Sequence, residues 1–139
     1  MHVTKTRILL ADDHPAVLSK VADLLEDTCE IVGSVTNGRA ALDVAARECP
    51  DVILMDISMP IVNGIEAAEK LFQLGTAAKI VFLTVHDDQD FVRAALAVGA
   101  SGYIVKSNMA TDLVPAIREA LAGHRFVSPR LRAKESRTL

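Results

Sequence analysis

Five short aliphatic runs, with helix-patterned stretches between them, constrain the fold of this chain more than any other feature. They are RILLAD (7–12), EIVGSV (30–35), DVILMD (51–56), KIVFLTV (79–85) and GYIVKS (102–107). Most are continuous rather than alternating, and rich in Val and Ile. Strands covered on both faces read this way, which is the condition of a parallel sheet. The intervening stretches repeat at helical spacing. Over 16–25, Val17, Leu18, Val21, Leu24 and Leu25 share one face, with Lys20 and Asp23 outside it. Residues 40–47 are alanine-rich around Leu42 and Val44, and 65–74 group Ile65, Ala68, Leu71 and Phe72. Residues 89–98 group Val92, Ala95, Leu96 and Val98, and 110–122 space Leu113, Ile117 and Leu121 four apart. Each stripe is read as core packing, with Gly99 and Gly123 closing the last two helices. The expected fold is α/β, a five-stranded parallel sheet with helices on both faces. Pro115 conflicts with the last helix and is expected to shift its start or kink it.

A chain of 139 residues is one domain, expected over 1–123. With 50% hydrophobic but only 4% aromatic residues, its core is aliphatic. No apolar run approaches the ~20 residues of a membrane helix, and Met1 to Lys5 carries no signal-peptide pattern. The expectation is a cytoplasmic protein with no membrane partner. Cys29 and Cys49 are read as free structural thiols. The net charge of −3 is unevenly spread: residues 124–139 hold five basic side chains against Glu135, leaving −7 on the remainder. An acidic globule with a basic tail argues against nucleic-acid binding by the globule itself.

The polar residues fall at strand ends. Asp12 and Asp13 end the first run, Asp56 the third, Thr84 the fourth and Lys106 the fifth. In a parallel sheet these ends share the edge where open α/β sheets bind ligands. Taken singly, an acid pair there more often marks a solvated strand end or a helix cap. Together, three carboxylates repel unless a cation intervenes. Hard oxygen ligands with room for water suit Mg²⁺. An ammonium and a hydroxyl beside such an ion make a clamp for a phosphoryl group, and a carboxylate can itself accept that group.

The stretches ILLADDHP (8–15), DVILMDISMPIVNGIEA (51–67), KIVFLTVHDD (79–88) and GASGYIVKS (99–107) resemble the receiver domain of bacterial two-component response regulators. The resemblance covers about residues 7–123. It implies the flavodoxin-like (βα)5 fold, whose strand order 2-1-3-4-5 comes with the resemblance and not from the runs. It implies that Asp56 accepts a phosphoryl group from a sensor histidine kinase. Asp13 and Asp56 would ligate Mg²⁺ directly, Asp12 largely through water, and Ser58 through its backbone carbonyl. Lys106 would contact the phosphoryl oxygens, Thr84 would be the switch hydroxyl, and Tyr103 the switch aromatic that turns inward on activation. New hydrogen bonds from a phosphoryl group could then bias a bistable loop.

ADDHP and AGHRFVSP are similar to NarL/FixJ-type (LuxR-class) receivers, which commonly continue into a helix-turn-helix DNA-binding domain. The resemblance implies control of transcription through such a domain, with residues 124–139 as the linker to it and DNA reached only through it. The alternative is a stand-alone regulator acting by protein–protein contact. Dimerisation on phosphorylation, through the first and last helices or the face around Tyr103, is a further expectation. Where many members have a cis proline after the lysine, this chain has Ser107, and a non-proline cis peptide costs ~3 kcal/mol. His14 is read as a solvent-facing loop residue or an aid to the metal loop, and His86 as lying at the pocket mouth. Asn63-Gly64 is read as a turn into the next helix, with Pro60 shaping the loop that carries Ser58.

Rival classes fit less well. Haloacid-dehalogenase-like phosphatases need a second Asp two residues after the nucleophile, where Ser58 stands. A flavodoxin needs a hydroxyl-rich phosphate loop where this chain has DDHPA, and a cobalamin-binding motif needs glycine at Val17. The chain is therefore read as a phosphoacceptor, with self-phosphorylation from small donors and self-dephosphorylation expected, and not as an enzyme with an external substrate.

Overall fold

Each aliphatic run becomes a strand, and in the computed structural model the strands pair in parallel. The structure describes residues 5–85, 89–129 and 131. In chain order the elements are β1 (Thr6–Ala11), α1 (Pro15–Leu25), β2 (Cys29–Val35), α2 (Gly38–Glu48), β3 (Val52–Asp56) and α3 (Gly64–Gln73). They continue with β4 (Lys79–Thr84), α4 (Gln89–Ala97), β5 (Gly102–Val105), a 3-10 turn (Lys106–Asn108), α5 (Met109–Leu121) and β6 (Phe126–Val127). The sheet order is β2-β1-β3-β4-β5-β6.

Side chains alternate across the sheet and build two cores. Ile8, Leu10, Val52, Leu54, Val81, Leu83 and Ile104 point to the side covered by α1 and α5, where Val21, Leu25, Leu113 and Ile117 meet them. Leu9, Ile53, Met55, Ile80, Phe82 and Tyr103 point to the side covered by α2, α3 and α4, where small residues such as Ala41, Ala67 and Ala95 let the helices lie close. Burial on both faces is why the runs read as continuous and not alternating.

Among the described residues the sheet has six strands, not the expected five, and it continues past Gly123. After α5 the chain turns at Gly123 (φ +84°) and lays Phe126 and Val127 against Gly102 and Tyr103. Phe126 N–H donates to the Ser101 carbonyl (2.9 Å) and Ser128 N–H to that of Tyr103 (3.0 Å). These bonds satisfy an otherwise open sheet edge. Leu131 is fully buried in the α2–α4 side core. A two-residue strand is too short to carry a period, so the sequence reading ended the pattern too early. Of the basic tail residues, Arg130, Arg132, Lys134 and Arg137 lie outside the described residues.

Pro115 does not move the start of the last helix: α5 begins at Met109 and runs through it. The proline sits on the exposed side, where the Thr111 carbonyl that loses its donor can turn to water. Met109, Leu113, Ala116, Ile117 and Ala120 are buried along the opposite side and hold the helix down.

Two glycines permit close approaches that shape the β3–α3 loop. A Cβ on Gly64 would stand 2.0 Å from the Asp56 carbonyl oxygen, and one on Gly38 would stand 2.1 Å from the Val62 oxygen. Gly64 N–H donates to the Ile57 carbonyl (2.8 Å) and Gly38 N–H to that of Val62 (3.0 Å). Asn63 caps α3, accepting from Glu66 N–H at 2.9 Å and donating to the Glu66 carboxylate at 2.6 Å. The loop under Asp56 is thus pinned to the start of α3.

Candidate functional site

The C-terminal ends of β1, β3 and β5 bring three acids and a lysine together. β1 delivers Asp12, which is fully buried, and Asp13, which is partly open. Asp12 Oδ1 accepts the His14 backbone N–H at 2.9 Å, an Asx turn that tightens the chain into α1. Pro15 then starts the helix, at a position where a missing N–H costs nothing. β3 delivers Asp56, only 2% exposed, on a strand with no exposed residue. Its Oδ1 accepts Ser58 N–H at 3.3 Å. From the end of β5, Lys106 Nζ reaches within 2.7 Å of Asp12 Oδ2 and 3.3 Å of Asp56 Oδ2.

Charge is unbalanced here. Asp12 Oδ2 and Asp56 Oδ2 are sealed from solvent and take no well-aligned hydrogen bond among the described residues, so the Lys106 ammonium holds them chiefly by charge. Burial first, and then the charge of Asp12, push the Asp56 carboxyl above the ordinary aspartate range. Lys106 and the Ser58 N–H oppose that push and only partly cancel it. A site with surplus buried negative charge asks for a cation.

His14 belongs to the cluster. Its Nδ1 lies 3.0 Å from Asp12 Oδ1, 3.1 Å from Asp13 Oδ1 and 3.9 Å from Asp56 Oδ2, although the side chain is 59% exposed. Ligand atoms of Asp12, Asp13, His14 and Asp56 all fall within 4.8 Å of one another. This acidic pocket could hold a metal ion, and its mostly hard oxygen donors fit a divalent cation such as Mg²⁺ or Mn²⁺.

The remaining expected residues lie on adjoining positions. Thr84 ends β4, fully buried and in register with Val105. Tyr103 pairs with Phe82 across β4–β5, and its ring is fully buried in the α2–α4 side core. Ser58 is exposed, and its backbone N–H faces Asp56. No cis peptide occurs among the described residues, so the Lys106–Ser107 bond is trans. His86 lies outside the described residues.

Sequence reasoning missed a second polar group beside Lys106. Ser128 is fully buried, and its hydroxyl donates to Asp112 Oδ2 (2.8 Å) while accepting from Val105 N–H (3.3 Å). The only sequence signals were an Asp in the first turn of α5 and the apolar FV before Ser128.

Comparison with known proteins agrees with this geometry. Residues 8–118 match the response regulator receiver domain family. The transcriptional regulatory protein DegU of Brevibacillus brevis is 36% identical over 91% of this chain and 55% of its own length. The response regulator GacA of Pseudomonas viridiflava is 36% identical over 90% of this chain and 59% of its own length. The chain therefore spans somewhat more than half the length of these relatives. A LuxR-family two-component response regulator from Aurantimonas sp. SI85-9A1 superposes with a TM-score of 0.90 at 34% identity, covering 98% of this chain and all of that one. The signal receiver domain of the putative response regulator NarL from Mycobacterium tuberculosis superposes at 0.84 with 29% identity, over 88% of this chain and all of its own. No helix among the described residues is long and apolar enough to cross a membrane. Strand order, the acid–lysine cluster and these relatives converge: the chain belongs to the response regulator receiver domains of two-component signalling, among the LuxR-class (NarL/FixJ-type) members.

Proposed function

We propose that Asp56 is the phosphoacceptor of this chain and takes its phosphoryl group from a sensor histidine kinase. One observation carries the reading. Asp56 is a buried carboxylate, raised in pKa by burial and by Asp12, with Lys106 Nζ 3.3 Å from its Oδ2. A carboxylate oxygen of Asp56 attacks phosphorus, the P–N bond to the kinase imidazole breaks, and the imidazole leaves with the bonding pair. Asp13 and Asp56 would hold Mg²⁺ directly, with Asp12 through water and Ser58 through its carbonyl. The ion, when bound, would neutralise the acids and draw charge from the phosphoryl oxygens. Lys106 then exchanges its pairing with Asp12 and Asp56 for a phosphoryl oxygen. The Thr84 hydroxyl is the switch donor on the neighbouring strand, and Tyr103 reports the switch to the α4–β5 face.

The output is transcriptional, as the name of the DegU relative suggests, and runs through a helix-turn-helix domain joined by the basic segment. Phosphorylation promotes homodimerisation through α1 and α5 or the face around Tyr103, and the protein works in the cytoplasm. The test is labelling by acetyl phosphate with Mg²⁺. The unmodified chain gains one phosphoryl group by mass, and Asp56→Asn gains none. Undiminished labelling of that variant refutes the reading.

A further inference from the structure

We propose that Ser128, held by Asp112, is a positioning residue for Lys106, and that it makes residues 126–129 and Leu131 respond to the charge at Asp56. The inference rests on the phosphoacceptor reading above. Ser101 and Tyr103 direct their carbonyls, and Val105 its N–H, to the outer edge of β5. Phe126 N–H takes the Ser101 carbonyl and Ser128 N–H takes that of Tyr103. The next rung would join Val105 N–H to the Ser128 carbonyl. That carbonyl is turned away, accepting Leu131 N–H at 2.8 Å. The Ser128 hydroxyl fills the rung instead, accepting from Val105 N–H at 3.3 Å.

A hydroxyl that accepts on one side must place its own proton on the other. Asp112 Oδ2 takes it at 2.8 Å, and Thr111 Oγ1 lies 3.2 Å from Asp112 Oδ1. Asp112 and Ser128 are both buried, 8% and 0% exposed, so water cannot replace either partner. The relay runs from α5 through the C-terminal segment to the last amide of β5. The next residue is Lys106, whose ammonium touches both Asp12 and Asp56. Its backbone is thereby fixed at the residue before it.

The same bonds carry information outward. Ser128 grips β5 at Tyr103 and at Val105, on either side of one residue. Leu131 is buried in the same core as Tyr103 and Val92, and Gln89 Nε2 of α4 lies 3.5 Å from the Leu131 carbonyl. Arg125 donates to the Leu96 carbonyl near the end of α4 (3.3 Å). A shift of Lys106 toward a phosphoryl group therefore pulls on a segment already tied to β5, α4 and α5. Coupling of this kind is reciprocal in binding free energy.

The experiment is titration of the Mg²⁺-loaded chain with beryllofluoride, a phosphoryl mimic, followed by amide NMR. In the unmodified chain the Val105, Val127 and Ser128 amides shift along with Lys106. Unperturbed Val127 and Ser128 amides at saturation overturn the inference without any variant. Ser128→Ala is expected to weaken beryllofluoride binding by roughly ten-fold, within the usual range of coupling between sites, and to slow acetyl phosphate labelling. Its affinity for Mg²⁺ alone is unchanged, because the metal-binding acids lie on β1 and β3, a split that a general loosening of the fold would not give. Ser128→Thr, which keeps the hydroxyl, restores binding. Equal beryllofluoride affinity in Ser128→Ala and the unmodified chain overturns the positioning role. No beryllofluoride binding and no labelling by the unmodified chain overturns the phosphoacceptor reading itself, and this inference with it.

Discussion

Asp56 and Asp112 are both buried in this fold, one beside the Lys106 ammonium and the other bonded to Ser128, and they are treated in opposite ways. Asp112 is matched to its surroundings: the Ser128 hydroxyl donates to one oxygen and the Thr111 hydroxyl lies beside the other. Asp56 is mismatched. It sits against Asp12, shares one ammonium with it, and is pushed above the ordinary aspartate range. A buried acid with its donors supplied stabilises the elements it joins. A buried acid short of positive charge holds unfavourable energy that a cation or a phosphoryl clamp relieves. The difference separates a structural carboxylate from the proposed phosphoacceptor without reference to sequence position.

The comparison is sharpened most by removing the shared ammonium. Lys106→Ala leaves Asp12 and Asp56 facing each other and takes away the ammonium that the proposal sets against the phosphoryl group. We expect beryllofluoride affinity to fall by about 100-fold or more, as when one preorganised donor to a developing anion is lost. Isothermal titration with Mg²⁺ and beryllofluoride measures this, and a loss below about three-fold would deny Lys106 its role. Asp112→Ala breaks the matched site. It strips Ser128 of its acceptor inside the protein, and a buried group left so costs about 1–3 kcal/mol. Urea unfolding should show a lower midpoint at unchanged slope, whereas an unchanged midpoint would make Asp112 an ornament of α5.

What the sequence disclosed follows the same division. The acid–lysine cluster was legible because its residues cap strands whose apolar runs announce them: Val52 to Met55 are wholly buried, so whatever follows them must arrive at the sheet edge. Strand order reversal at β1 and β3 came from the family resemblance, since the runs contain no information on neighbours. The matched site was illegible. Asp112 and Ser128 are sixteen residues apart on a helix and a loop, and their meeting depends on the turn at Gly123 and on β6. Neither sets a hydrophobic period. His14 was undervalued for a related reason: the Asx turn made by Asp12 aims its ring back over the acids, a local geometry that the letters DDHP do not spell out.

The smallest effect, and the most diagnostic, is one of sign. A carboxyl whose pKa is raised in the folded chain favours folding while protonated. That contribution is complete below the unfolded value of about 3.9 and is lost as pH rises through the folded value. At neutral pH, ionised Asp56 in the metal-free protein therefore costs stability, since burial and Asp12 outweigh Lys106 and the Ser58 N–H. Asp56→Asn removes the cost while keeping the shape. We expect it to raise the melting temperature of the metal-free chain at pH 7 by about 3–5 °C, what ~1 kcal/mol does for a domain of this size. The gain should shrink as pH falls toward 4 and, at pH 7, as Mg²⁺ is added, because either a proton or a cation relieves the same charge. Asp112→Ala should lower the melting temperature, with or without Mg²⁺. Scanning calorimetry of both variants across pH and Mg²⁺ decides the matter: if Asp56→Asn also destabilised the metal-free chain at pH 7, the two carboxylates would be alike, and the charge imbalance at β1 and β3 would not be what marks the site.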